Sequence, residues 1–245
     1  MISKLLISTS IKYFFFKLFQ CKILSVKINN YKIKFLISNK KTFDRALYYY
    51  EKETLEWINT FHKKDIFWDI GSCTGVYSIY ASMEKKCFVY AFEPLILNFN
   101  LTFENMKLNN VLDHCSVFNL YLGDKDYVDE IFIKENITGV SQQLNIKNEN
   151  FTRQGVLKHS IDHLIENLGF KVPNHIKIDV ERTELQLING CKKTLAKKEL
   201  KSIAIECHKE FYYDINKELV KNNFKLKKKV RQSETDSILY YYKVN

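Results

Sequence analysis

The sequence predicts an α/β fold: a mostly parallel sheet with helices on both faces and an antiparallel finish. Short apolar runs of strand length alternate with stretches of helical periodicity from residue 66 to residue 222, the pattern of consecutive strand–helix–strand units. The last two runs, 224–230 and 237–244, are joined by a short connection, so they are expected to return antiparallel. The 245 residues, 46% hydrophobic and 27% charged, have a globular composition and suffice for one large domain.

In order, residues 22–38 read as two short strands around Asn29-Asn30, a hairpin turn. Residues 42–62 read as one or two helices, because Leu47, Tyr50, Leu55, Ile58 and Phe61 recur at helical spacing. An apolar run at 66–70 ends at Gly71, a helix covers 76–83, and a second run at 87–92 ends at Glu93-Pro94. A helix at 98–108 and a third strand at 115–122 follow. A polar stretch then holds a strand at 131–133 and a loop at 136–154. Residues 160–168 read as helix, 175–180 as strand, 184–195 as helix, 203–207 as strand and 211–222 as helix, before the two final strands. With no repeat and no linker, the chain divides into an extension, 1–41, and one domain, 42–245.

Composition excludes several classes. Seven Gly and two Pro rule out collagen-like and Pro-rich character. Six cysteines without CxxC spacing argue against zinc ribbons and disulfide scaffolds; no metal site is expected, and reduced thiols suit a cytoplasmic protein. The net charge of +10 suits an anionic partner such as nucleic acid, a membrane surface or an acidic substrate, or serves solubility alone. Almost all of it is lysine, a poor bidentate reader of bases. Residues 1–20 are apolar and basic, with runs too short to span a bilayer. They read either as an interfacial helix in peripheral contact with an anionic inner membrane surface or as a helix packed on the domain or a dimer partner.

Four segments carry chemistry. Asp69-Ile70-Gly71-Ser72-Cys73-Thr74-Gly75 joins a strand to a helix. Its glycines allow a sharp turn and close approach of a ligand, at the strand end where ligands bind in open α/β sheets. The spacing lacks G-x-G-x-x-G and places a carboxylate at the strand end, which suits a cationic ligand with a ribose, such as S-adenosylmethionine, better than a pyrophosphate; a plain tight turn is the alternative. Glu93, at the end of the next strand, can accept bonds from both ribose hydroxyls, or it is a solvated acid before a turn proline. In His175-Ile176-Lys177-Ile178-Asp179-Val180-Glu181, alternation puts His175, Lys177 and Asp179 on one face. In a covered strand Lys177 needs a partner, and Asp179 and Glu181 are nearest. An edge strand with a solvated face is the alternative. Glu206-Cys207-His208 ends the next strand, where His208 is either a general base or structural.

Taken in order, these motifs resemble the FkbM-type family of S-adenosylmethionine-dependent methyltransferases over about residues 50–208. The matching pieces include Tyr50-Glu51, Asp69-Ile70-Gly71, Gly75-Val76-Tyr77-Ser78, Phe92-Glu93-Pro94, Asn98, Asn105, Ser160-Ile161-Asp162 and Ile176 to Glu181 followed by Glu184 and Gly190. The resemblance implies a Rossmann-like methyltransferase fold with a mostly parallel seven-stranded sheet and an antiparallel last strand. It also implies O-methylation of a hydroxyl on a sugar, glycan or other small natural product. The cofactor is then expected on Asp69, Gly71, Cys73, Gly75, Glu93 and Asn98. Asp179 is the first candidate for base or substrate anchor and His208 the second, with Glu206 holding His208 or contacting substrate and Lys177 lowering the carboxylate pKa values. The chain departs from the family pattern in Ser72-Cys73 for Ala-Asn, in Arg182 for Gly, and in the stretch 133–154.

Rival readings are a nucleic-acid methyltransferase, a nicotinamide oxidoreductase and an inactive binding module. The first lacks the Pro-Pro of the amino-methylating subclass, the second lacks G-x-G-x-x-G, and the third stays open through Arg182.

Overall fold

The computed structural model describes residues 12–14, 22–48 and 50–244. The expected hairpin is β1 (Ile23–Ile28) and β2 (Tyr31–Leu36), with Asn29 left-handed at the turn (φ +50°). Next come α1 (Lys40–Tyr48), α2 (Lys52–Ile58), β3 (Ile66–Ile70), α3 (Val76–Lys85), β4 (Phe88–Phe92), α4 (Ile96–Leu108) and β5 (Cys115–Phe118). Three strands follow: β6 (Tyr121–Gly123), β7 (Tyr127–Ile133) and β8 (Thr152–Ser160). The chain continues through α5 (Ile161–Glu166), β9 (His175–Ile178), α6 (Glu184–Asn189), α7 (Lys192–Ala196), β10 (Ser202–His208), α8 (Tyr212–Lys221), β11 (Phe224–Arg231) and β12 (Asp236–Lys243).

The main sheet has seven strands in the order β11-β12-β10-β9-β3-β4-β5. The five from β10 to β5 are parallel, and β12 runs antiparallel to both its neighbours. From β3 the chain winds out through β4 and β5, then returns on the other side through β9 and β10. That reversal opens a crevice at the carboxyl ends of β3 and β9. Alternation along the strands feeds two cores: Phe67 joins Ile33, Ile58, Ile79 and Val89 on one face, while Trp68 joins Ile176, Leu187, Leu195 and Leu219 on the other. At the amino ends, Asp65 lies 2.9 Å from His175, and His175 lies 2.7 Å from the Ser202 hydroxyl. His175 therefore closes the bottom of the sheet, away from the crevice.

The structure departs from the sequence reading in three places. The third strand is broken, because Asn119 turns its amide onto the carbonyls of Glu93 and Pro94 (2.9 and 2.8 Å). Its second half becomes β6 of a separate sheet, β6-β8-β7. β8 was not expected at all: Val156 and Leu157 are its only large apolar residues, so the period-2 signal is faint. The helix expected at 184–195 divides at Gly190, where a Cβ would lie 1.9 Å from the Gly123 carbonyl oxygen.

Ile28, Ile33, Phe35 and Ile37 share a buried cluster with Tyr80 and Met106, so the hairpin of the N-terminal extension and the domain have one core. The helix expected over residues 1–20 lies outside the described residues except for 12–14, where Tyr13 packs edge-on against Phe43 at 5.4 Å. Among the described residues no helix is long and apolar enough to cross a membrane. The five described cysteines are free, and Cys21 lies outside the described residues.

Candidate active site

The turn after β3 is held from several sides. Gly71 (φ +80°), Cys73 (φ +50°) and Gly75 (φ +74°) are left-handed, a conformation that suits Gly and Asn. The departure at Cys73, where the family pattern has Asn, therefore keeps the backbone at some cost in strain. Gly71 has a second constraint: a Cβ there would lie 1.9 Å from the carbonyl oxygen of Asp179, so the turn rests on the end of β9. Thr102 donates to the Cys73 carbonyl (2.8 Å) and Asn105 to the Thr74 carbonyl (2.9 Å), tying the turn to α4.

Glu93 receives the Cys73 N–H on one carboxylate oxygen (2.9 Å) and the Leu95 N–H on the other (3.0 Å). Burial nevertheless pushes its pKa up to about 7. Gly71, Cys73, Glu93, Asn98 and Asp179 border one cleft, enclosing about 600 Å3 counted to its open mouth, with Phe92, Leu120 and Leu122 as apolar walls.

Asp179 also faces a small chamber shared with Lys177, Glu206 and Glu51. Register sets this cluster. Lys177 pairs with Asp69 on one neighbour and Ala204 on the other, so Asp179 and Glu206 stand two residues further along the same face. Lys177 donates to Asp179 at 2.7 Å and lies 4.8 Å from the centre of the Tyr77 ring. Burial opposes the lysine's charge, but Asp179, Asp69 and Glu51 outweigh it and hold Lys177 above its ordinary pKa. Burial likewise opposes ionisation of Asp179, and the Lys177 charge and hydrogen bond reverse that, holding Asp179 below the usual carboxylate range. Burial and the Asp179 charge push Glu206 up to about 8, so this pair holds one proton near neutrality.

Other expected site residues fall elsewhere. Asp69 is fully buried behind the turn and does not border the cleft. It accepts the Ser78 hydroxyl at 2.6 Å and lies beside Lys177 in the register. Strand parity turns it under α3, where it supports the turn and lies beside Lys177. Gly75 likewise shapes the turn from outside the cleft. Asn98 borders the cleft, but its amide fastens segment 134–144: its oxygen accepts the Gly139 N–H (2.8 Å) and its nitrogen donates to the Val140 carbonyl (3.1 Å). Arg45 and Asn39 also donate to the backbone of this segment, at Gly139 and Thr138.

His208 borders neither cavity; Nε2 accepts from Arg182 at 3.1 Å, so Arg182 rather than Glu206 holds it. Arg182 (φ +64°) occupies a left-handed position that explains a glycine in the family pattern. Its guanidinium lies on His208 and Glu210 (3.2 Å) and leaves the cleft clear. Glu51, quoted above only as part of a motif, is the site residue that sequence reasoning missed. Segment 140–144, which lines the cleft, carried no signal at all.

Strand order, reversal point and the turn facing an acid just after β4 define a protein of the Rossmann-like methyltransferase class. Residues 69–228 match the Methyltransferase FkbM domain, more than half of the chain, and the chain belongs to the FkbM methyltransferase family. No curated protein matches it. Among solved structures it resembles the Methyltransferase FkbM from Methylobacillus flagellatus KT (18% identity, TM-score 0.55, 74% of this chain and 44% of that one). The chain thus spans less than half the length of that protein. It also resembles the ribosomal protein L11 methylase from Lactobacillus delbrueckii subsp. bulgaricus (14% identity, TM-score 0.50, 85% and 81%). At these identities the likeness is one of fold.

Proposed function

We propose that the chain is an S-adenosylmethionine-dependent O-methyltransferase acting on a hydroxyl of a sugar, glycan or other small natural product. The residues present fit this cofactor. Each Glu93 oxygen accepts one backbone N–H and has a lone pair left for a vicinal diol. The apolar walls at Phe92, Leu120 and Leu122 suit a flat base, and Glu181 suits a cationic end. Bound there, the cofactor supplies a methyl group already activated on a sulfonium.

What remains for the chain is positioning and one proton. The observation that carries the reading is the place of Asp179, ionised by Lys177 and facing both the cofactor cleft and the acid-lined chamber. Asp179 orients the acceptor hydroxyl and takes its proton as the new C–O bond forms. A weakly basic carboxylate suffices, because that oxygen becomes strongly acidic only during bond formation. Glu206, carrying a proton near neutrality, donates to Asp179 and keeps it in place. His208, covered by Arg182, has no part in the step.

Calorimetry tests the cofactor half. Glu93→Ala is expected to weaken S-adenosylmethionine binding by more than about tenfold, the value of a charge-assisted bond pair; unchanged affinity overturns the assignment. Asp179→Asn is expected to bind cofactor and lose turnover across a panel of hydroxylated acceptors, and full turnover removes Asp179 from its role.

A further inference from the structure

Away from the cleft, three segments meet at one corner. Asp126 lies in the loop between β6 and β7, His159 stands next to last in β8, and His163 lies in the first turn of α5. We propose that Asp126, His159 and His163 form a binding site for a borderline divalent transition-metal ion of the Zn2+ type, which clips the small sheet to α5. The site is independent of the methyl-transfer chemistry; none of the three borders the cleft.

The donors already converge. The two imidazoles are parallel, with centres 5.0 Å apart and planes within 2°. His159 Nδ1 lies 3.3 Å from one oxygen of Asp126, and His163 Nδ1 lies 3.7 Å from the other. One ligand atom from each residue falls within 4.8 Å of the rest, and among the described residues this is the only such set of three His, Cys, Asp or Glu donors. Metal–ligand bonds of roughly 2.0–2.1 Å put tetrahedral donors about 3.3 Å apart, so small side-chain rotations complete the geometry.

The scaffold is fixed beforehand. Ser160 donates its N–H to Asp126 at 2.8 Å and accepts the His163 N–H on its hydroxyl at 3.1 Å. One residue thus orients the carboxylate and caps the helix that carries His163, the outer-shell support that metal ligands need. The side chains are part-exposed, at 20%, 29% and 36% for His159, His163 and Asp126, which admits an ion and leaves a coordination position for water. Two imidazoles with one carboxylate select Zn2+, Co2+ or Ni2+ over Mg2+ and Ca2+. The clip bears on β6, whose Tyr121 and Leu122 form a wall of the cleft.

The test uses the full chain, stripped with a chelator and titrated with Zn2+ by calorimetry under reducing conditions. One ion per chain is expected, and His163→Gln and Asp126→Asn are each expected to weaken binding by at least about tenfold. Zn2+ is expected to raise the thermal midpoint of the wild type and leave that of His159→Gln/His163→Gln unchanged, with Co2+ giving a nitrogen- and oxygen-ligated visible spectrum. No binding by the wild type overturns the proposal. So does equal Zn2+ affinity in the double variant, which would place the ion on other donors such as Cys73. Equal affinity for Mg2+ overturns the assigned metal class.

Discussion

Lys177 is 5% exposed, and its charge reaches Asp179, Asp69 and Glu51 at once. Its bond to Asp179 was legible, because alternation and the cost of a buried ammonium leave few partners. Glu51 was not legible, since its side chain arrives from a segment far away in sequence. Asp69 stands at a strand end, yet parity turns its side chain under α3 and not into the cleft lining. The raised pKa of Glu206, about 8 against an ordinary 4.5, has a stability consequence. A folded-state pKa above the unfolded one means that the folded chain binds the extra proton, so stability falls as pH rises from about 4.5 to about 8. Glu206→Gln removes that loss. Between pH 6 and 9 its stability is expected to gain about 1–2 kcal/mol relative to wild type, read from thermal midpoints across pH. A flat difference overturns the assignment of the shared proton. Arg182→Gly, with the guanidinium outside the cleft, is expected to leave cofactor affinity within about threefold, because less than about 1 kcal/mol is at stake.

At the scale of elements, the strands and helices with strong periodicity were legible and the interruptions were not. β3 and β4 read correctly because covered parallel strands are continuous apolar runs. The division of the last β9–β10 crossover into α6 and α7 depends on a contact that periodicity does not encode. Gly190 lies against the backbone of β6, at a φ of −82° that any residue adopts, so a side chain there meets a purely steric obstacle. Gly190→Ala is expected to cost about 2–3 kcal/mol by overpacking, measured by denaturant unfolding. A loss under about 0.5 kcal/mol would show that α6 shifts freely. β8 escaped notice for the opposite reason: its residues satisfy the sheet through backbone pairing with β6 and β7, and little hydrophobic pattern is needed for that.

Over the whole molecule, the strand–helix alternation predicted the sheet and its two covered faces, while the place of the hairpin had to come from the structure. Asn105 joins the two: its oxygen accepts the Leu36 N–H of β2 (2.8 Å) while its nitrogen donates to the Thr74 carbonyl of the glycine turn (2.9 Å). Asn105→Ala leaves both backbone groups without this partner. It is expected to cost about 2–3 kcal/mol and to weaken cofactor binding as well, read by denaturation and calorimetry on one sample. A stability loss with unchanged affinity would uncouple the hairpin from the turn.

Segment 134–144 has a consequence for how such a protein diversifies. Asn98, Arg45 and Asn39 hold it at the backbone of residues 138–140, and peptide groups are the same whatever side chains they carry. Of the side chains it turns into the cleft, Val140 and Leu144 take no part in that fastening, whereas Ser141 accepts from Arg45 (2.7 Å) and Gln142 braces the backbone of residues 134 and 135. Exchanging Val140 or Leu144 therefore reshapes one wall of the cleft while the sheet beneath it stays as it is.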